Sequence, residues 1–274
     1  MKKWVIGLLV LSWIGFLTAC SPVKTVSQTG ESTKQELIIL AAASLNEPFQ
    51  EIAAAFEAQN ADVKLIFSFA GSQELAQQLE QGAPADVFAS ANQKYMQSAV
   101  DADRVATAAA QNFVTNQLTV ILPKNNPAGI TDLKDLTTPG LKIVLAAAEV
   151  PVGKYTLEVL DKLSADAAYT VDFKDLLLSN VASYENNVKS VVSKVALGEA
   201  DAGIVYTSDT AGSASPQLEQ IVIPTNLNVV AVYPIAVIKD STHAQTAQSF
   251  VDFVLSAESQ VILAKYGFLP PAAE

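Results

Sequence analysis

Leu37-Ile38-Ile39-Leu40-Ala41-Ala42-Ala43-Ser44-Leu45-Asn46-Glu47-Pro48-Phe49-Gln50-Glu51-Ile52-Ala53-Ala54-Ala55-Phe56 decides the fold. Its first five residues form an unbroken apolar run, as expected for a strand covered on both faces. Leu45, Phe49, Ile52 and Phe56 then fall at i, i+4, i+7 and i+11, which lines one face of a helix. A buried strand running directly into an amphipathic helix is the repeating unit of an α/β fold with largely parallel sheets.

Working outward, Val63 to Phe69 predicts a strand, Ser72 to Glu80 a helix closed by Gly82, and Asp86 to Ala89 another strand. Leu118 to Leu122 and Leu141 to Leu145 read as strands from their aliphatic and β-branched content. Val188, Val191, Val192 and Val195 keep helical spacing ahead of a terminating Gly198. Ala202 to Tyr206 and Val229 to Ile238 supply further strands, and Phe250 to Tyr266 a closing helix. The length past residue 36 exceeds one usual core of about 100 to 150 residues, which predicts two lobes. The crossings are expected near Thr115-Asn116-Gln117 and Pro224-Thr225-Asn226, giving 37–116 and 225–274 to one lobe and 117–224 to the other.

Lys2 and Lys3 precede the apolar run Trp4 to Leu17, a secretory signal shorter than the roughly 20 residues of a membrane span. Leu17-Thr18-Ala19-Cys20 resembles a bacterial lipobox, so residues 1–19 are expected to be removed and Cys20 acylated. Cys20 is the single cysteine of 274 residues, which excludes a disulfide framework. Residues 21–36 are polar and read as a flexible tether from the membrane. Without the signal, 15 basic residues of the 17 face 28 acidic ones, a formal charge of −13. Nucleic acid and anionic lipid surfaces are poor partners for such a body. An anion binder with this charge must rely on local dipoles.

One histidine, His243, in a polar loop, and one cysteine leave no Ser-His-Asp or Cys-His catalytic set and no His/Cys zinc site. No phosphate-loop motif is present. Paired carboxylates remain available in principle, so a secreted hydrolase is a rival reading, as is a lipoprotein that docks on another protein. Ser44 and Ser72 stand at strand-to-helix junctions, where free N–H groups and the helix dipole receive anions without a formal cation. For either serine alone, capping its own helix is the commoner role, Ser72 being placed at an N-cap; two such junctions early in one α/β chain favour the anion-binding reading. Asp86 reads as a structural hydrogen-bonding group, Lys154 and Glu185 as solvated surface, and Tyr206 either as a core aromatic or as a donor.

Ala41 to Leu45, Phe67-Ser68-Phe69-Ala70-Gly71-Ser72 and the run Leu75 to Ala91 ending in Ala85-Asp86-Val87-Phe88-Ala89 together resemble the periplasmic molybdate-binding proteins of ABC transporters. Val150-Pro151-Val152-Gly153-Lys154-Tyr155 is similar to that family's V-P-x-G-x-Y element, and Gly203-Ile204-Val205-Tyr206-Thr207-Ser208-Asp209 to its G-I-V-Y-x-S-D element. The resemblance implies a two-lobed type II periplasmic-binding-protein fold with the ligand in the cleft. It implies molybdate or tungstate as ligand, with sulfate, thiosulfate or phosphate as the alternative. The implied ligand set is the hydroxyls and amides of Ser44 and Ser72, the backbone N–H of Val152 and of Val188, and the Tyr206 phenol. It further implies an ABC permease as partner, a monomer anchored outside the membrane through its N-terminal lipid, no cofactor, no cation site and no catalytic residue. Val152 stands where many relatives have alanine, and the segment 163–187 is longer than usual, which bears on the placing of Val188.

Overall fold

The computed structural model describes residues 34–271. The signal segment, Cys20 and the tether up to residue 33 lie outside the described residues. From there the chain runs β1 (Gln35–Ala42), α1 (Asn46–Gln59), β2 (Val63–Ala70), α2 (Ser72–Glu80), β3 (Val87–Ala89), α3 (Gln93–Asp101) and β4 (Gln111–Asn116). It continues with β5 (Leu118–Pro123), β6 (Ile143–Ala146), α4 (Pro151–Ala165), α5 (Phe173–Ser179), β7 (Val181–Glu185), α6 (Val188–Ala196), β8 (Ala202–Tyr206) and β9 (Leu218–Val222). It closes with β10 (Ala231–Val237), α7 (Ala244–Leu255) and α8 (Ala257–Lys265).

The strands form two five-stranded sheets, ordered β2-β1-β3-β10-β4 and β7-β6-β8-β5-β9. In each, two pairings are parallel and two antiparallel. The parallel pairs come from strand-helix-strand units such as β1-α1-β2, paired from Gln35↔Val63 to Ala42↔Ala70. The antiparallel pairs involve β5 and β10, the strands on which the chain enters the second sheet and returns to the first. Entry takes a single residue, Gln117, between Asn116 and Leu118; the return lies between Val222 and Ala231. Asn228 fastens the two crossings together, its Nδ2 donating to Leu118 O at 2.8 Å and its Oδ1 accepting from Leu118 N–H at 3.0 Å.

Burial follows the spacing. Leu37, Ile39 and Ala41 point to one face of the first sheet and Leu40 to the other, all buried, while Leu45, Phe49, Ile52 and Phe56 are sealed beneath α1. Phe49 meets Phe113 and Phe250 edge-on or tilted at about 6 Å between ring centres, a geometry worth roughly 0.5–1.5 kcal/mol per pair beyond area burial. Gly82 and Gly198 take left-handed conformations, φ +84° and +71°, just past α2 and α6, which only glycine adopts without strain.

The expected closing helix from Phe250 to Tyr266 is instead two helices. Ser256 breaks it with extended backbone, φ −67° and ψ 157°, and its hydroxyl accepts from Ser259 N–H at 3.4 Å to start α8. Helical spacing of apolar residues survives such a break because both helices lie on the same core. The long segment 163–187 contains α5 and β7, and β1 already begins at Gln35, inside the expected tether.

Candidate functional site

Parallel strands deliver their following helices at their carboxyl ends, so the amino ends of α2, α4 and α6 gather on one side of the sheets, where open α/β folds hold ligands. Ser44 sits in a short 3-10 turn between β1 and α1; Ser72 is the first residue of α2; Val152 is the second residue of α4; Val188 is the first of α6; Tyr206 ends β8. All five line one small cavity, with room for little more than a water-sized group. They come from both sheets, and each is at most 4 % exposed. The lobes therefore meet over the cavity. Tyr206 is the sole ionisable residue among those lining it.

The first-turn N–H groups of Ser72, Val152 and Val188 have no partner within their own helices, as for any helix start. Pro151, at the first position of α4, spends no N–H there and presets the turn that presents Val152. Asn187 caps α6 by accepting from Ser190 N–H at 3.0 Å. Gly153 lets α4 lie against the preceding loop, since a Cβ there would fall 2.0 Å from Ala147 O.

Neither serine caps its helix. Ser72 was expected at an N-cap, but Gly71 holds that position, and no side chain caps α2 or α1. Ser72 Oγ instead accepts from Ala91 N–H at 3.0 Å, and Ser44 Oγ lies 3.0 Å from Tyr233 Oη. Tyr206 is packed on Tyr233, with ring centres 5.7 Å apart, and its backbone N–H donates to the Asp209 carboxylate at 3.2 Å. That fixes why the sequence places Asp209 three residues on. The Tyr206 hydroxyl is buried without a hydrogen-bond partner in the protein. Burial pushes its phenol well above the usual tyrosine range, so it remains a neutral donor.

The charged residues nearby are occupied elsewhere. Lys154 pairs with Glu158 at 2.6 Å along α4, and Glu185 with Lys194 at 2.5 Å. Partial burial raises the Glu185 carboxyl, and the Lys194 and Ser183 hydrogen bonds more than reverse this, leaving it below the usual range. Asp86 accepts from Ile38 N–H at 2.7 Å and from the Ser241 hydroxyl at 2.5 Å, at the amino end of the central strand β3 beside His243. Among the described residues there is no cluster of three or more His, Cys, Asp or Glu side chains placed to hold a metal ion. Tyr233 and the Ala91 N–H were missed by the sequence reading. They lie 189 and 19 residues from the serines they touch; Ala91 ends the Leu75 to Ala91 run, but nothing in that run marks its N–H as a partner of Ser72.

Comparisons with known proteins find relatives along almost the whole chain. Residues 37–269 fit the family model described as bacterial extracellular solute-binding protein. The molybdate-binding protein ModA of Mycobacterium tuberculosis H37Rv is 36 % identical over 98 % of this chain and 100 % of its own. ModA of Escherichia coli K12 is 32 % identical over 93 % and 97 %. A solved structure from Clostridium difficile, described as the substrate binding domain of a molybdenum ABC transporter, is 33 % identical, covers 87 % of this chain and 100 % of its own, and superposes with a TM-score of 0.65. With a family model spanning almost all of the described residues and full-length relatives above 30 % identity, this chain belongs to the bacterial extracellular solute-binding proteins, in their two-lobed α/β fold.

Proposed function

We propose that this chain is the solute-binding component of an ABC importer and that it carries molybdate, with tungstate as a near-equal guest. The observation that carries the reading is the convergence of Ser44, Ser72, Val152, Val188 and Tyr206 on one small buried cavity whose lining holds no lysine, arginine or histidine. A fully deprotonated dianion needs donors alone, and hydroxyls with helix-start N–H groups supply them. The curated relatives named as molybdate-binding support the choice of ligand. No catalytic group and no cofactor enter this reading: the protein binds and releases. A titration calorimetry panel of molybdate, tungstate, sulfate and phosphate tests it. Sub-micromolar molybdate and tungstate binding with far weaker sulfate is expected; equal sulfate affinity sinks the ligand assignment.

The same reading places the protein outside the membrane, tethered by an acyl chain on Cys20 and docking as a monomer on a permease. Incorporation of radiolabelled fatty acid, lost in Cys20→Ser, checks the anchor. Release of the wild-type protein into the medium without label counts against it.

A further inference from the structure

A serine hydroxyl has one hydrogen and two lone pairs, and what it offers a guest depends on which of these its protein neighbours occupy. At Ser72 the neighbour is the Ala91 backbone N–H, at 3.0 Å. An amide N–H only donates, so Ser72 Oγ is the acceptor and its hydrogen is left for the cavity. At Ser44 the neighbour is Tyr233 Oη, at 3.0 Å, and geometry alone permits donation either way. Tyr233 is fully buried. Burial drives its phenol far above the usual range, only partly offset by Ser44 and Asn116, so the proton stays on it. A phenol is also a stronger acid than an alkyl alcohol, hence the better donor of the two.

We propose that Tyr233 is a positioning residue: its O–H donates to Ser44 Oγ as the Ala91 N–H does to Ser72 Oγ, so each serine spends a lone pair inside the protein and turns its hydrogen to the guest. This rests on the oxyanion reading above and extends it to selectivity. A guest carrying its own proton, such as hydrogen phosphate, finds one acceptor position fewer at each serine, and a fully deprotonated tetrahedral dianion needs none. Tyr233 acts through Ser44, so the effect belongs to protonation state more than to size.

The test is calorimetry on the full chain in detergent, with molybdate and with inorganic phosphate at pH 6 and pH 8, for wild type, Tyr233→Phe, Ser44→Ala and the double variant. Phenylalanine keeps the ring that packs on Phe113 and Phe268 at 6.4 and 5.4 Å. Tyr233→Phe is expected to weaken molybdate about tenfold while phosphate holds or gains, narrowing the ratio most at pH 6. In the Ser44→Ala background the same change should leave the ratio unmoved. Parallel losses for both anions, or an unchanged ratio in the single variant, overturn the proposal and leave the oxyanion reading standing. Wild type binding no oxyanion at all overturns both. If Tyr233→Phe does not fold, 3-fluorotyrosine at 233, a more acidic donor, should widen the ratio, and an unchanged or narrowed ratio overturns the proposal.

Discussion

Glu47, in the first turn of α1, reaches across the cleft to Lys189 of α6, with Oε2 to Nζ at 3.2 Å, while its Oε1 accepts from Ser213 N–H at 2.6 Å. Lys189 also meets the wholly buried carboxylate of Asp209 at 3.1 Å. One acidic side chain of the first lobe thus clasps two elements of the second, without touching the cavity. Gln73 Nε2 donates to Asn186 O at 2.7 Å, and the Tyr95 hydroxyl to Glu149 O, across the same cleft.

Removing the clasp should weaken ligand without removing any ligand contact, because closure and binding are one equilibrium. Glu47→Gln is expected to raise the molybdate Kd roughly three- to tenfold, in line with about 1 kcal/mol for a partly exposed charged contact. Small-angle scattering should show a larger share of open molecules without ligand. An unchanged Kd together with an unchanged radius of gyration refutes the clasp.

The clasp also carries a pH signature. Partial burial raises the Glu47 carboxyl, but the Ser213 N–H and Lys189 together lower it further, so it ends below the usual value of 4.5. A depressed carboxyl contributes stability that is present above its unfolded value and lost as pH falls through its folded one. Wild type should therefore lose more thermal stability than Glu47→Gln between about pH 5 and pH 3. Parallel acid limbs would show that the carboxylate contributes nothing.

The serines and Tyr206 should separate binding from folding. Ser44→Ala and Ser72→Ala each remove one donor to a dianion, a loss of about 1.5–3 kcal/mol or roughly 10- to 150-fold in Kd. Tyr206→Phe should also weaken binding by about tenfold, yet leave the ligand-free melting temperature equal or higher, because a buried hydroxyl without a partner is removed. A fall in ligand-free stability with unchanged Kd would make Tyr206 a core aromatic only.

Gly71 tests closure by steric means. A Cβ at this position would lie 2.6 Å from Asn186 O, a backbone atom of the opposite lobe. Gly71→Ala should hold the cleft ajar, weakening molybdate tenfold or more, a cost of about 1.4 kcal/mol, with little change in ligand-free melting. Normal affinity and normal compaction in scattering would show that the lobes close without this approach.

Much of this molecule can be read along the chain because its elements are set by local spacing. The apolar run at Leu37 and the helical stripe from Leu45 to Phe56 require a buried strand and an amphipathic helix wherever they sit, and Gly82 and Gly198 end helices by their own backbone freedom. Four ordered motifs carry Ser44, Ser72, Val152 and Tyr206 for the same reason: each is a strand end or helix start whose donors are fixed within a few residues. The strands β4, β7 and β9 were not legible, since they depend on neighbours far away in sequence; the break at Ser256 is set locally, by its bond to Ser259, and was hidden by the continuous helical spacing around it.

What only the tertiary structure decided is which way those donors face. Whether Ser72 caps its helix or accepts from Ala91, whether Ser44 is held by Tyr233, and whether Glu47 finds Lys189 depend on contacts spanning 19, 189 and 142 residues. Local propensity has no term for such pairs, because a hydroxyl or carboxylate accepts many partners and the packed core selects one. The sequence by itself determined where neutral donors occur; the packing of two sheets determined that they surround a single small space with no charge of their own.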